Sequence, residues 1–380
     1  MARQWDIFCS VVDNYGDIGV TWRLARQLVA EHGQRVRLWV DDLSAFARIC
    51  PQADSSATRQ EVLGVLVCEW SATLMIDTPI DILVEAFACQ LPASIESVLR
   101  QQPQAPCWIN LEYLSGESWI EGCHRLPSPQ AGGLSKYFFF PGFTERTGGL
   151  LREADLLQRR DTFQADREAQ DQFLSRLGVT RQPGTRLISL FTYENAALAP
   201  WLDALCDAPQ PMQLLVPESR ILPDLVRWAG APLEMGKPQR HRQIEIHIIP
   251  FVSQQDYDHL LWCCDLNIVR GEDSFIRAQW AGRPMLWHIY PQDEDAHIAK
   301  LEAFLDHYQS DLPPPAADAL RSLWLAWNRA QLPPEPWNAS MLDDPSWLSH
   351  ARAWCEHLNA QHDLATQLVA FVDTHAQPRP

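Results

Sequence analysis

Glycine is scarce in this 380-residue chain, 17 in all, and no GxGxxG, GxxxxGKS, GxxxxGKT, GxSxG or HExxH run occurs. Those gaps exclude the usual dinucleotide fingerprint, the P-loop, the nucleophile elbow of common hydrolases and the zincin helix. Positive charge is short as well. Lys and Arg number 31 against 48 Asp and Glu, leaving a net charge of −17 and a pI near 5.1, the reverse of a surface built to neutralise nucleic-acid phosphates. Cysteine supplies no CxxC pair, and the ten thiols are scattered except for Cys263 and Cys264. That is the pattern of small buried apolar residues in a reducing compartment, not of a disulfide frame or a zinc site. No run approaches the roughly 18 apolar residues of a bilayer-spanning helix; the longest candidate is Val62 to Cys68. The amino end is broken by Arg3, Asp6 and Asp13 and lacks the form of a secretory signal. A cytoplasmic protein is expected, with neither a membrane nor a nucleic acid as partner.

What the chain does hold is 46% hydrophobic residues, 28 Pro and 16 Trp. Such content builds a sizeable core from large rigid side chains, and the length suits two domains. Short β-branched or aromatic runs alternate with amphipathic segments, as in α/β layers around a mostly parallel sheet. In the first half the predicted strands are Trp5–Val12, Arg35–Val40, Val65–Glu69, Ile82–Glu85, Cys107–Leu111 and Tyr137–Phe140. A helix over Ile18–Glu31 carries Trp22, Ala25 and Val29 on one face, with Gly33 just past its end as a left-handed cap. A charged helical stretch from Leu151 to Leu177, ended by Gly178, reads as the crossing between domains. The second series of strands is Arg186–Leu190, Met212–Val216, Ile244–Ile249, Leu266–Val269 and Met285–His288. A helical tail runs from Ala317 to Ala376, and the proline-rich Leu312–Pro315 and Leu332–Pro336 read as loops. In folds of this kind ligands sit at the carboxyl edges of the strands.

Three stretches at those edges could carry chemistry. The first strand leads into Asp13, Asn14, Tyr15, Gly16, Asp17, Ile18, Gly19, which sets two carboxylates and two glycines at a strand-to-helix turn. The simpler alternative makes Asp17 a helix cap and Gly16 a positive-φ residue, but it leaves Asp13, Asn14 and Tyr15 unexplained. Behind Leu266–Val269 comes Arg270, Gly271, Glu272, Asp273, Ser274, Phe275, at a helix start whose N–H groups and dipole favour phosphate. Arg270 and Ser274 suit a diphosphate, and Glu272 could hold a sugar hydroxyl or orient a nucleophile; capping by Asp273 or Ser274 is the plainer reading. Phe191, Tyr193 and Phe251 also follow strands, with Gln255 one turn on. A base can stack on such a ring while an amide reads its edge, although aromatics there also serve as ordinary core. The two DxD matches, Asp256 with Asp258 and Asp293 with Asp295, are no more than chance supplies in so acidic a chain and assign no metal. His288 and His297 read as hydrogen-bonded structural residues.

The opening Trp5 to Asp42, together with FTYEN at Phe191–Asn195 and RGEDSF at Arg270–Phe275, closely resembles the EarP family, the bacterial protein-arginine rhamnosyltransferases of translation elongation factor P. The resemblance covers essentially the whole chain. It implies an α/β fold of GT-B architecture, two Rossmann-like domains facing across a cleft. An acceptor-side domain would span 1–155, joined by a carboxyl-terminal helix of about 357–380, and a nucleotide-sugar domain would span 156–356. It further implies dTDP-β-L-rhamnose as donor, an elongation factor P arginine as acceptor, and inversion to an α-linked rhamnosyl arginine. The modified factor would then be active in rescuing stalled ribosomes. The family's acidic residues fall on Asp13, Asp17 and Glu272. Its donor contacts fall on Asn14, Tyr15, Gly16 and Asp17, on Tyr193 and Gln255, and on Arg270, Gly271, Glu272, Asp273 and Ser274, with Phe191 and Phe251 against the thymine. No cofactor or metal is implied.

That assignment makes chemical sense. A guanidinium stays protonated and delocalised at neutral pH, a poor nucleophile until a carboxylate removes or localises a proton. Asp17 would be that base, Asp13 would hold the acceptor in line, and Glu272 would position the sugar or help polarise the acceptor. The leaving nucleotide needs charge stabilisation, which a helix amino end with Arg270 and Ser274 can supply. Elongation factor P resembles an acidic protein, so at −17 recognition must rest on local attraction between its basic acceptor loop and the acids around Asp13 and Asp17. Transfer to a lipid or small sugar, or nucleotide-sugar binding without catalysis, are the rival expectations.

Overall fold

The computed structural model describes residues 2–12, 15–71, 73–76, 78–331 and 345–375; Asp13, Asn14, Ala376 and the Leu332–Pro336 stretch lie outside the described residues. The chain divides into two compact units, one of Met1–Ala154 with Leu358–Pro380, the other of Asp155–His357. Among the described residues no helix is long and apolar enough to cross a membrane.

The first stretch runs β1 (Gln4–Cys9), α1 (Gly16–Ala30), β2 (Arg35–Val40), α2 (Leu43–Ile49), β3 (Arg59–Val62), β4 (Val65–Glu69), β5 (Ile82–Ala86), α3 (Ala93–Gln101), β6 (Cys107–Leu111), α4 (Trp119–Cys123), β7 (Pro127–Pro129) and β8 (Ser135–Phe139). The sheet order is β3-β4-β2-β1-β5-β6-β8-β7, antiparallel only where β3 and β7 close the edges. Strands β5 and β6 are buried throughout, as a parallel sheet covered on both faces demands. From β1 the chain winds outward through β2 and β4, then returns to β5, β6 and β8 on the other side. The strand order therefore reverses between β1 and β5, where a doubly wound sheet opens a crevice at its carboxyl edge. Within β1, Asp6 is fully buried and held by Nε and Nη2 of Arg37 at 2.6 and 2.8 Å and by the Trp39 indole at 2.8 Å. Burial nonetheless raises its carboxyl above the ordinary range, against the pull of Arg37.

The second unit runs α5 (Leu156–Ala165), α6 (Arg167–Arg176), β9 (Arg186–Leu190), α7 (Leu198–Cys206), β10 (Met212–Pro217), α8 (Leu222–Ala229), β11 (Gln239–His241), β12 (Ile244–Ile249), α9 (Gln254–Cys263), β13 (Leu266–Arg270), α10 (Asp273–Trp280), β14 (Met285–His288), α11 (Ala296–Tyr308) and α12 (Pro314–Asn328). Helix α13 (Pro345–Asn359) ends it, and α14 (Leu364–His375) returns to the first unit. The order β11-β12-β10-β9-β13-β14 reverses between β9 and β13. Helices α9 and α10 are locked by a bidentate pair: Arg277 Nε and Nη2 donate to the two oxygens of Asp258 at 2.8 and 2.7 Å. Their side chains are 1% and 3% exposed.

Several expectations are corrected. The first strand stops at Cys9, short of Val12, because carboxylates draw the next residues off the ladder. The Ser10 hydroxyl and Val11 amide donate to Asp41 at 2.5 and 2.9 Å, and the Val12 amide donates to Asp17 at 2.9 Å. The charged crossing is two helices, broken at Asp166, whose side chain accepts from the Ala169 amide. Strands β3, β7 and β11 carry no apolar alternation to announce them. Pro314 begins α12 instead of sitting in a loop, since proline fits the first helical turn, where its missing N–H has no partner to lose. Gly33 takes φ 60° beyond α1. All ten cysteines are unpaired and all but Cys123 are buried; burial pushes the Cys89, Cys107 and Cys263 thiols up to about 12.

Removing one member of a buried pair strands the other, at about 3–5 kcal/mol, a large part of a domain's ~5–15 kcal/mol stability. Arg277→Met should lose about that much in urea unfolding, and Asp258→Leu combined with it should recover most of the loss. A single variant as stable as the parent would remove the pair from any structural account.

Candidate functional site

In the second unit the strand-order reversal places the turns after β9 and β13 side by side. Arg270 ends β13, 7% exposed, and its guanidinium carbon lies 4.6 Å from the Phe191 ring centre and 4.7 Å from that of Tyr193. Two aromatic faces on one cation fix its direction without consuming its N–H donors. Among the described residues, nothing accepts from its buried Nη1. Gly271 follows with φ 62°, a left-handed step open to a residue without Cβ. Its carbonyl accepts from the Trp287 indole at 2.7 Å, and Trp287 stacks on Phe275 with ring centres 3.9 Å apart. The chain can therefore turn straight into α10, where Glu272 is the N-cap residue and its own side chain makes no capping bond. A helix amino end open to a ligand, beside a directed guanidinium, is an anion-binding arrangement.

Ser274 departs from its expected donor role as it stands. Its hydroxyl donates to the Arg270 carbonyl, while the Arg270 amide donates to it at 3.2 Å, so it staples the turn and would have to rotate to reach a phosphate. Gln255 is not brought to this turn: it is exposed and lines a cavity with Arg159, Phe163 and His259 on the α5 side of α9. Its neighbour Gln254 is the buried one, and donates to Asp273 at 3.2 Å. The signal that separates them is Ser253, which accepts from the Asp256 amide as N-cap of α9 and so sets the phase of the first turn. Phe251 lies half-buried between β12 and α9. Phe191 meets the half-buried Tyr257 edge-on at 5.7 Å; burial of its hydroxyl raises that phenol's pKa.

Sequence reasoning also passed over His288 as a part of this site. At the end of β14 its Nδ1 shares a 2.5 Å hydrogen bond with the Thr192 hydroxyl, and its ring stands edge-on to Tyr193 at 5.2 Å. The Asn328 amide holds the strand end by donating to the Trp287 carbonyl and accepting from the Ile289 amide.

In the first unit, Asp17 sits in the first turn of α1, 2% exposed, with Oδ2 accepting from Val12. Tyr15 is the N-cap and Gly16 the first helical residue. Both the capping idea and the site idea thus have purchase on Asp17: it ties down the loop after β1 and stands at the strand-order reversal. Asp13 and Asn14 lie outside the described residues. Across the reversal, Phe87 and Ala88 follow β5 with φ 57° and 52°, two successive left-handed residues that are not glycine and cost roughly 1–3 kcal/mol each.

Burial, then the charges of His297 and Arg270, lower the His288 imidazole to about 3. An unfolded histidine protonates near 6.5. Between these values the unfolded chain binds more protons, so stability falls as pH drops, by up to roughly 1.4 kcal/mol per pH unit for one group. His288→Gln should flatten that slope between about pH 6 and pH 4 in urea titrations; an unchanged slope would assign the acid sensitivity to other groups.

The family described as Elongation-Factor P (EF-P) rhamnosyltransferase EarP matches residues 5–373. A protein-arginine rhamnosyltransferase of Pseudomonas putida is 58% identical, covering 98% of this chain and 99% of its own, and one of Pseudomonas aeruginosa is 56% identical over 97% and 98%. A solved structure described as the basis for EarP-mediated arginine glycosylation of translation elongation factor EF-P superposes with TM-score 0.71 at 44% identity, over 98% and 99% of the two chains. A glycosyltransferase from Rickettsia africae, 11% identical at TM-score 0.52 over 98% and 97%, shares the fold alone, which is GT-B. The chain is a glycosyltransferase and belongs to the EarP family of elongation factor P rhamnosyltransferases.

Proposed function

We propose that this enzyme transfers L-rhamnose from dTDP-β-L-rhamnose to a guanidinium nitrogen of an arginine in elongation factor P, with inversion at the anomeric carbon, in the cytoplasm. The observation that carries the donor side is Arg270, held between Phe191 and Tyr193 at the amino end of α10. A nucleotide diphosphate brings the negative charge that this arrangement suits, and the developing charge on the leaving group is stabilised by the same donors. Glu272 and Asp273 stand at the same helix start, suited to sugar hydroxyls. Gln254, rather than Gln255, belongs to this set.

On the acceptor side the reaction forms a bond from the guanidinium nitrogen to the anomeric carbon and breaks the bond from that carbon to the diphosphate oxygen. One proton leaves the nitrogen. Asp17 is the base, and Asp13 orients the guanidinium. A carboxylate already buried and fixed by an amide at 2.9 Å is oriented before substrate arrives, which serves proximity. The first unit is then the acceptor side and the second the nucleotide-sugar side.

Intact-protein mass spectrometry of elongation factor P, incubated with this enzyme and dTDP-β-L-rhamnose, should show a gain of one deoxyhexose that an acceptor Arg→Lys control lacks. No gain, with dTDP still bound by calorimetry, would move the search to another acceptor or to a binding role without catalysis. Asp17→Asn keeps an oxygen for the Val12 amide, and should lower the transfer rate by about 10²–10⁴ with dTDP affinity unchanged; lost nucleotide affinity would mean the base is misassigned. Arg270→Met should weaken dTDP binding by roughly ten- to hundredfold, and equal affinity in the variant would displace the diphosphate from α10.

A further inference from the structure

Three adjacent strands, β1, β5 and β6, end side by side at the carboxyl edge of the first sheet, and the residue types they release there differ. After β1 come Asp17 and the exposed Val12; after β5 comes Phe87; after β6 come Glu112 and Tyr113. Phe87 and Tyr113 stack with ring centres 4.5 Å apart and planes 21° from parallel. Phe87 is 9% exposed and Tyr113 is 36% exposed, so one ring backs the other and the outer one meets solvent. The left-handed Phe87 and Ala88 turn the chain at the strand end, while the Phe87 amide donates to the Leu111 carbonyl at 2.7 Å and the Cys89 thiol points to the Phe8 carbonyl. The pair is thus tied to both neighbouring strands. Glu112 is fixed beside it, accepting from the Asn110 amide group at 2.5 Å. Lys136 on β8 is committed to Glu85 of β5 at 2.7 Å.

An aromatic face with a backing ring and an adjacent carboxylate suits one kind of group above others. A guanidinium is planar and weakly hydrated, so it stacks on a ring while its edge donates to a carboxylate; an ammonium is a hydrated point charge that gains less from such a face. We infer that Tyr113, supported by Phe87, is the platform on which the acceptor arginine packs, and that it sets the acceptor affinity of the transfer reaction. The inference rests on the acceptor proposed above. It makes Tyr113 a specificity-determining residue, while proton removal stays with Asp17.

The test is steady-state transfer to intact elongation factor P at saturating dTDP-β-L-rhamnose, with dTDP calorimetry on each protein. Tyr113→Ala should raise the acceptor KM by roughly three- to thirtyfold, with nucleotide affinity unchanged, and Tyr113→Phe should restore the parent KM. Phe87→Leu, which leaves Tyr113 without its backing ring, should raise KM in the same direction. Wild-type transfer together with an unaltered acceptor KM in Tyr113→Ala overturns the platform alone. A wild-type enzyme that adds no sugar to this acceptor overturns the platform together with the reading beneath it.

Discussion

The candidate site of the second unit depends on the bidentate contact between Arg277 and Asp258. Its partners sit on the two helices whose amino ends form the site, Asp258 one turn into α9 from Gln254 and Arg277 one turn into α10 from Asp273. With both charges nearly excluded from water, any sliding of one helix along the other would separate desolvated ions, and the cost grows steeply with each ångström. What lies at the helix starts inherits that fixity: Gln254 against Asp273, the Ser274 hydroxyl on the Arg270 backbone, the Arg270 guanidinium between its rings.

The first unit repeats the idea with other materials. Asp6 and Arg37 pair across neighbouring strands, with the Trp39 indole as a third donor, so a carboxylate and an arginine stabilise the register of β1 and β2. Asp41, which closes that same strand pair, then takes the Ser10 hydroxyl and the Val11 amide. Together with Asp17 it turns the chain out of the sheet. Two acids close to one strand end, Asp17 and Asp41, would repel one another if bare. Each is instead matched to donors, and the loop after β1 is shaped by them.

The alternation of strands and helices was legible because parallel β/α repeats impose runs of buried residues with turns between them, and the strand ends marked Asp17 and Arg270–Ser274 as candidates before any coordinates. What escaped were features without periodicity. The antiparallel edges β3, β7 and β11 are short and polar. Asp6 is a charged residue inside an apolar strand, and its burial follows from Arg37 on another strand, which spacing along the chain does not reveal. The choice between Gln254 and Gln255 turned on one helix boundary, and a shift of one residue rotates a side chain by about 100°. His288 joined the site only through Thr192 and Tyr193, almost a hundred positions away in sequence.

The thiols have a practical consequence. Alkylating reagents attack thiolates that solvent can reach, and nine of the ten cysteines are buried, with several held protonated far above neutral pH. Cys123, at the end of α4, is the half-exposed exception. A maleimide dye added to the native chain therefore meets one preferred position, and the protein carries its own single-site fluorescent handle in the first unit without any residue having to be replaced.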